Sequence, residues 1–353
     1  MKSPRIISYL FLFATVMLSP VRADEREDAE KAERARQEAF RSKVEVIADD
    51  LNRSSLEGFI RSIDRGDMID RIFGLRLIDQ KVKKKFNENL EFSYEDMIAS
   101  AFPIPEDGLK ATLLGVESRG DLGRAVIRFD YPDFEFAYHE YDLRLDENGR
   151  VIIVDWTDFL RGMKFSDSIG RSLVLAAPSK SALRKLLDFQ NVSERELFQF
   201  GELMKAVRDR RLDRYLEIME GLDQRFKRQR IVVESSVQVA KEARKRRQMV
   251  AALAVMADYF PGEPLYSLML LDHYFPSRKY KEAFQALQRL SDRLDFQDAA
   301  MDARMSAAAL VLDQPQDASA YADMALEREP GLELAWWSAL NARANLSDFA
   351  GSV

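Results

Sequence analysis

His139 and His273 are the two histidines in 353 residues, and there is no cysteine. Those counts remove thiol nucleophiles, thiolate metal sites, redox pairs and disulfides, and they leave too few imidazoles for a triad or a zinc centre. His139 stands beside Glu140 and Asp142, with Asp130, Asp155 and Asp158 nearby in sequence, a set that would suit a general base or a metal ligand. Strand alternation separates them. Glu140 and Asp142 share a face with Phe134, Phe136 and Tyr138, and His139 points the other way. His139 therefore reads as a residue of a sheet edge or pocket rim, and His273, next to Asp272, as part of a polar helix face.

Phosphate chemistry finds no support. Gly115, Gly120 and Gly123 fall in a hairpin, without the strand-to-helix setting of a nucleotide loop. No serine lies in a Gly-x-Ser-x-Gly turn. The 59 acidic residues single out no pair for acid–base work. No catalytic, cofactor-binding or metal-binding residue is expected, and no cofactor.

Charge is the remaining signal. Lys205–Arg247 holds 14 basic against 7 acidic residues. A candidate anion-binding patch is Arg225, Lys227, Arg228 and Arg230, with Lys241, Arg244, Lys245, Arg246 and Arg247. Such a run is either a solvated helix face or a surface for an anionic envelope layer or an acidic partner. Ser291–Val353 holds 4 basic against 11 acidic residues, so the two stretches could attract each other between molecules; the oligomeric state itself is not legible. The mild formal charge of −6 argues against bulk nucleic-acid binding.

These residues must be positioned by elements that the hydrophobic pattern reveals. Pro264–Leu294 reads as two amphipathic helices joined at Pro276–Arg278. Leu268, Leu271 and Tyr274 or Phe275 line one stripe; Tyr280, Phe284, Leu287 and Leu290 or Leu294 line the other. One hairpin cannot bury its own stripe, so neighbours of the same plan are expected on both sides. Leu270, Leu271, Tyr274, Ala283 and Leu287, then Ala318, Ala322 and Pro330, then Trp336, Ala339 and Leu340 resemble the tetratricopeptide repeat, for about 264–349 and more weakly for 190–263. Ala252 is placed in register with Ala283 although it lies 31 residues away. The resemblance implies an array of helical hairpins presenting a concave surface to a protein segment.

Upstream, the period changes. Residues 111–117, 124–131, 134–145 and 151–158 are rich in Val, Ile, Phe and Tyr and are separated by turn residues, Asn148-Gly149 the clearest. They predict a four-stranded antiparallel meander. Helices are expected before it, with a break at Arg65-Gly66-Asp67 and a new start at Ser93, capped in partnership with Asp96. The order of helices and then sheet is similar to the NTF2-like superfamily over about 45–165. That resemblance implies a pocket between sheet and helices, with Asp130, Tyr138, Asp142 and Trp156 as candidate lining.

The start of the chain reads as an export signal. Lys2 and Arg5 precede the 13 apolar residues Ile6–Leu18, and Val21-Arg22-Ala23 supplies a cleavage site. No further membrane span is expected. The predicted organisation is a signal peptide at 1–23, a charged lead-in helix at 24–52, an α+β domain at 53–165, a connector at 166–189 and an all-α repeat domain at 190–353. The expected role is an exported, periplasmic scaffold or adaptor holding a protein partner on the repeats; the alternative is a small-ligand binder, or an enzyme, using the N-terminal pocket.

Overall fold

The computed structural model describes residues 23–74, 78, 80–99, 102, 110–132, 135–176, 180–187 and 191–346. The export-signal residues 2–22 lie outside them, as do Phe134 and the chain end at Val353. Helices α1 (Ala23–Asn52), α2 (Glu57–Arg61), α3 (Arg65–Gly74) and α4 (Gln80–Ala99) precede a sheet of five antiparallel strands in sequential order. These are β1 (Lys110–Arg119), β2 (Leu122–Asp130), β3 (Phe136–Leu145), β4 (Val151–Asp158) and β5 (Met163–Lys164). The β1–β2 turn needs Gly120 at φ 61° and the β3–β4 turn needs Gly149 at φ 73°, conformations that favour glycine. Two-residue β5 is an addition to the expected meander.

One face of the sheet packs on the helices. Phe40, Val44, Ile47 and Leu51 of α1, Phe59 of α2, Met68 and Ile72 of α3 and Ile98 of α4 meet Ile127, Phe129, Tyr141 and Trp156 in one core. Two helix boundaries differ from expectation. α4 runs unbroken through Ser93, because nothing between Asn87 and Phe92 is a glycine or proline that would stop it. The break placed at Arg65-Gly66-Asp67 lies earlier: the Asp67 amide donates to the Asp64 carboxylate at 2.9 Å, so Asp64 caps α3 and all three residues lie inside it.

Helix α5 (Phe165–Ala176) leads into the all-helical region. Phe165 stacks on Trp156, ring centres 4.0 Å apart, while Leu175 packs into the next core with Leu183 and Leu197. After α6 (Lys180–Lys185), α7 (Glu194–Arg208) pairs with α8 (Leu212–Glu220). The short α9 (Gln224–Lys227) precedes the pair α10 (Arg230–Glu242) and α11 (Arg246–Tyr259). Then come α12 (Ser267–Tyr274) with α13 (Tyr280–Leu294), α14 (Ala299–Val311) with α15 (Pro315–Arg328), and α16 (Glu333–Asn345).

The four hairpin turns are copies of one another. Each has one non-glycine residue in the left-handed region: Arg210, Arg244, Arg278 and Asp313, at φ 55°, 54°, 54° and 60°. Their spacings are 34, 34 and 35 residues. The following amide donates back across the turn each time, Arg211 to Ala206, Lys245 to Ala240, Lys279 to Tyr274 and Gln314 to Ala309, at 2.8–3.0 Å. This is the helix stop in which a left-handed residue lets the chain satisfy orphaned carbonyls. It corrects the register of the earlier hairpin. Met249, not Ala252, is equivalent to Ala283, since their amides bond to Lys245 and Lys279, the residues after the left-handed positions. The same register reaches back to Tyr215, whose amide bonds to Arg211.

The helical region covers the second face of the sheet. Val126, Phe136, Tyr138 and Phe159 form a core with Leu268, Leu287, Leu290, Met301 and Met305. Close approach depends on two glycines. A side chain at Gly115 would meet the Phe296 ring at 2.3 Å, and one at Gly162 would meet the Tyr266 ring at 2.7 Å.

Candidate functional site

The densest set of charged side chains lies where sheet and hairpins meet. Antiparallel pairing sets Arg128 opposite Tyr138 and Val126 opposite Glu140, so alternation sends Arg124, Arg128, Tyr138 and Glu140 to one face. Arg128 is fully buried. Its guanidinium donates to Asp298, to Asp130 at 2.7 Å and to Glu329 at 2.8 Å. Asp298 caps α14 by accepting the Met301 amide at 3.0 Å, and it also accepts the Tyr138 hydroxyl at 2.5 Å. Beside this set, Glu140 accepts two bonds from Arg293 at 2.6 Å each and one from Arg124 at 2.8 Å.

The electrostatics follow from burial and pairing. Burial works against the Arg128 charge, yet Asp298, Asp130 and Glu329 keep it protonated. Burial and the Asp298 charge push the Tyr138 hydroxyl well above its usual range. Burial alone would raise Glu140, but Arg293 and Arg124 hold it below the usual carboxylate range. Every donor here has an acceptor, and the groups are locked rather than poised to react. The arrangement is a clamp between two parts of the chain.

His139 is on the opposite face, buried among Phe102, Phe129 and Tyr141, with ring centres 5.2, 4.7 and 5.9 Å away. It is not the exposed edge or rim residue expected, because the aromatic side chains close over it. Burial pushes it down to about 4 despite Asp158, whose carboxylate lies 3.9 Å from Nε2. His273 is buried as well, not on a polar face, and its Nδ1 lies 3.4 Å from the Ser277 hydroxyl.

Asp130, Tyr138, Asp142 and Trp156 do not line a common pocket. Tyr138 and Asp130 belong to the clamp. Asp142 pairs with Lys164. Trp156 is fully buried on the other side of the sheet, edge-on to Phe59 at 5.3 Å. Phe59, Phe102, Phe129, Tyr141 and Trp156 fill the space that a ligand would need. Open grooves occur elsewhere: one of about 490 Å³ lined by Gln285, Gln288, Arg289 and Asp302, and one of about 620 Å³ lined by Leu183, Leu197, Phe198 and Lys205.

The basic patch divides in two. Arg225, Lys227 and Arg228 of α9 and its C-cap, and Arg230 at the start of α10, are largely engaged by the protein itself. Arg225 pairs with Glu196, Arg230 pairs with Glu234 and Glu263, Lys227 donates to the Glu220 carbonyl, and Arg228 lies over the Tyr259 ring at 5.7 Å. Lys241 at the end of α10, Arg244 and Lys245 in the turn, and Arg246 and Arg247 at the start of α11 are exposed, and none makes an ion pair with a carboxylate within 4 Å among the described residues. The fold adds residues to this second half that sequence reading missed. Arg210 pairs with Glu242 at 3.3 Å, which brings the α7–α8 turn beside the α10–α11 turn. Lys241 and Arg246 lie near enough to Asp272 to act on its carboxyl, and Asp272 belongs to the helix that enters the α12–α13 turn. The legible signal was the recurrence of Arg210-Arg211, Arg244-Lys245 and Arg278-Lys279 at steps of 34.

Comparison with family models, curated proteins and solved structures gives no match. Among the described residues, no helix is long and apolar enough to cross a membrane.

Proposed function

We propose that this chain is an exported, non-catalytic scaffold that binds a protein partner through its arm of helical hairpins. The observation that carries the proposal is the surface of α16. Trp336, Trp337 and Leu340 are exposed, while the indole N–H groups are already engaged, Trp336 with the Pro330 carbonyl at 2.7 Å and Trp337 with Glu333 at 3.2 Å. The rings thus offer apolar faces whose polar atoms need no new partner, and tryptophan is the residue type that most often anchors a protein interface. The filled interior of the N-terminal region weighs on the same side, since a small-ligand binder would need that space empty. The turn spacing of 34, 34 and 35 residues favours the tetratricopeptide kind of repeat, and Lys2, Arg5 and the apolar run after them favour an envelope location.

A photo-crosslinking residue in place of Trp337, with Arg61 on α2 as a distant exposed control, tests the reading in the native envelope. A protein adduct specific to position 337 is expected. Adducts common to both positions, or none at 337, would refute it.

A further inference from the structure

Two local preferences are broken at the same place in three successive hairpins. The left-handed residue ending each first helix is the position glycine takes without steric cost, and here it is Arg210, Arg244 and Arg278. The next residue starts the second helix, where Ser, Thr, Asp or Asn would cap the backbone and a positive charge opposes the helix dipole. Here it is Arg211, Lys245 and Lys279, none of which makes a side-chain capping bond. In the fourth turn the pair is Asp313 and Gln314, so the turn geometry itself does not require cations. Departures from local preference that recur in register point to a use beyond folding.

All six side chains are exposed. Arg210 has Glu242 as a partner; the other five have no carboxylate partner among the described residues. Glu242 offsets Arg210 and Asp209 is engaged chiefly by Arg208, so the ridge's charge rests mainly on the second and third pairs, Arg244-Lys245 and Arg278-Lys279. The stacking of the hairpins sets the three pairs along one edge of the arm, one repeat apart. The large apolar neighbours Leu212 and Tyr274 are buried and Phe275 is half-buried, so the edge presents charge more than the apolar insertion that strengthens binding to a lipid surface.

We propose that this edge binds an extended acidic segment of a protein partner, its carboxylates meeting the cation pairs at intervals of one repeat. The inference rests on the reading of the arm as a protein-binding scaffold and names the chemistry of that partner. Guanidinium groups recognise carboxylates with two parallel bonds, and exposed charge contacts of this kind are weakened by salt.

The test uses the full chain and a dye-labelled poly-glutamate peptide, followed by fluorescence anisotropy at low and high salt. The double variant Arg244→Gly and Arg278→Gly should lose about tenfold in affinity. The same variant should melt about 2–4 °C higher, because glycine relieves the left-handed positions. If the arginines serve only the preceding helix dipoles, the variant melts lower and peptide binding is unchanged, which overturns the proposal. Binding to phosphatidylserine vesicles through these residues, with no binding to the peptide, overturns it in favour of a lipid surface. Failure of the unaltered chain to bind the peptide, with the position-337 adduct intact, sinks this proposal and spares the scaffold; peptide binding by the unaltered chain without that adduct does the reverse.

Discussion

On the helix-facing side of the sheet, Phe59, Phe102, Phe129, Tyr141 and Trp156 meet largely edge to face, and the imidazole among them, His139, is held neutral by burial. On the hairpin-facing side, Arg128, Asp298, Tyr138 and Glu140 are as deeply buried, yet each charge there is paired. The first face gains its cohesion from apolar area and ring contacts, which tolerate small shifts in register. The second depends on directional bonds, which select one relative placement of sheet and hairpins and tolerate almost no other. The difference indicates that the N-terminal region and the arm act as one positioned unit.

The strongest challenge to that contrast is Asp298→Ala. It leaves one guanidinium nitrogen of Arg128, the Tyr138 hydroxyl and the Met301 amide without their shared acceptor, and removing one partner of a buried pair costs about 3–5 kcal/mol. Urea melts of the full chain should show that loss; a change as small as that of a surface substitution would mean the clamp is not holding the two regions together.

Acid should attack the opposite face. Because His139 is pushed down to about 4 from the ordinary 6.5, the unfolded chain binds a proton over that window that the folded site refuses. Stability is therefore full above pH 6.5 and declines as pH falls toward 4, by about 3 kcal/mol in total. His139→Phe should flatten this part of the pH profile in melts taken at pH 7 and pH 4.5. An unchanged slope would assign the acid sensitivity to other groups.

A smaller effect is expected where β1 lies against the arm at Gly115 and Phe296. Gly115→Val forces atoms into the Phe296 ring and should cost about 1–3 kcal/mol, the usual penalty for overpacking. Phe296→Ala in the same chain should recover part of that loss. If the double change is no better than Gly115→Val alone in denaturant melts, the strain lies within β1 and not at the contact with the arm.

Much of the helix-facing side was legible because its signals are local. Alternation in β2 and β3 and the turn residues Asn148-Gly149 place the strands to within two residues at most boundaries. The clamp was not legible. Arg128 and Asp130 alternate with apolar residues just as solvent-facing positions do, and their partner Asp298 is 170 residues from Arg128. The early hairpins were put out of register for a related reason. Ala252 is small, as the pattern asks, but the backbone turn at Arg244 sets the phase and puts Met249 in that place. Arg244 and Lys245 of the basic edge were legible as part of a basic run, whereas Arg210, Arg211, Arg278 and Lys279 were not, because turns 34 residues apart in sequence bring them to the same edge.

The clamp also sets the order in which the molecule can be completed. Arg128 is synthesised 201 residues before Glu329, and Lys110 precedes that same partner by 219. At ordinary translation speeds, 201 residues take roughly 10–40 seconds. For that interval the strands exist without their cover, and contacts so distant in sequence form slowly even in a finished chain. A greasy face left waiting would invite association with other nascent chains. This one shows Arg124, Arg128, Asp130 and Glu140 among its apolar residues, so the charges that later lock the arm in place keep the face wetted until the arm arrives.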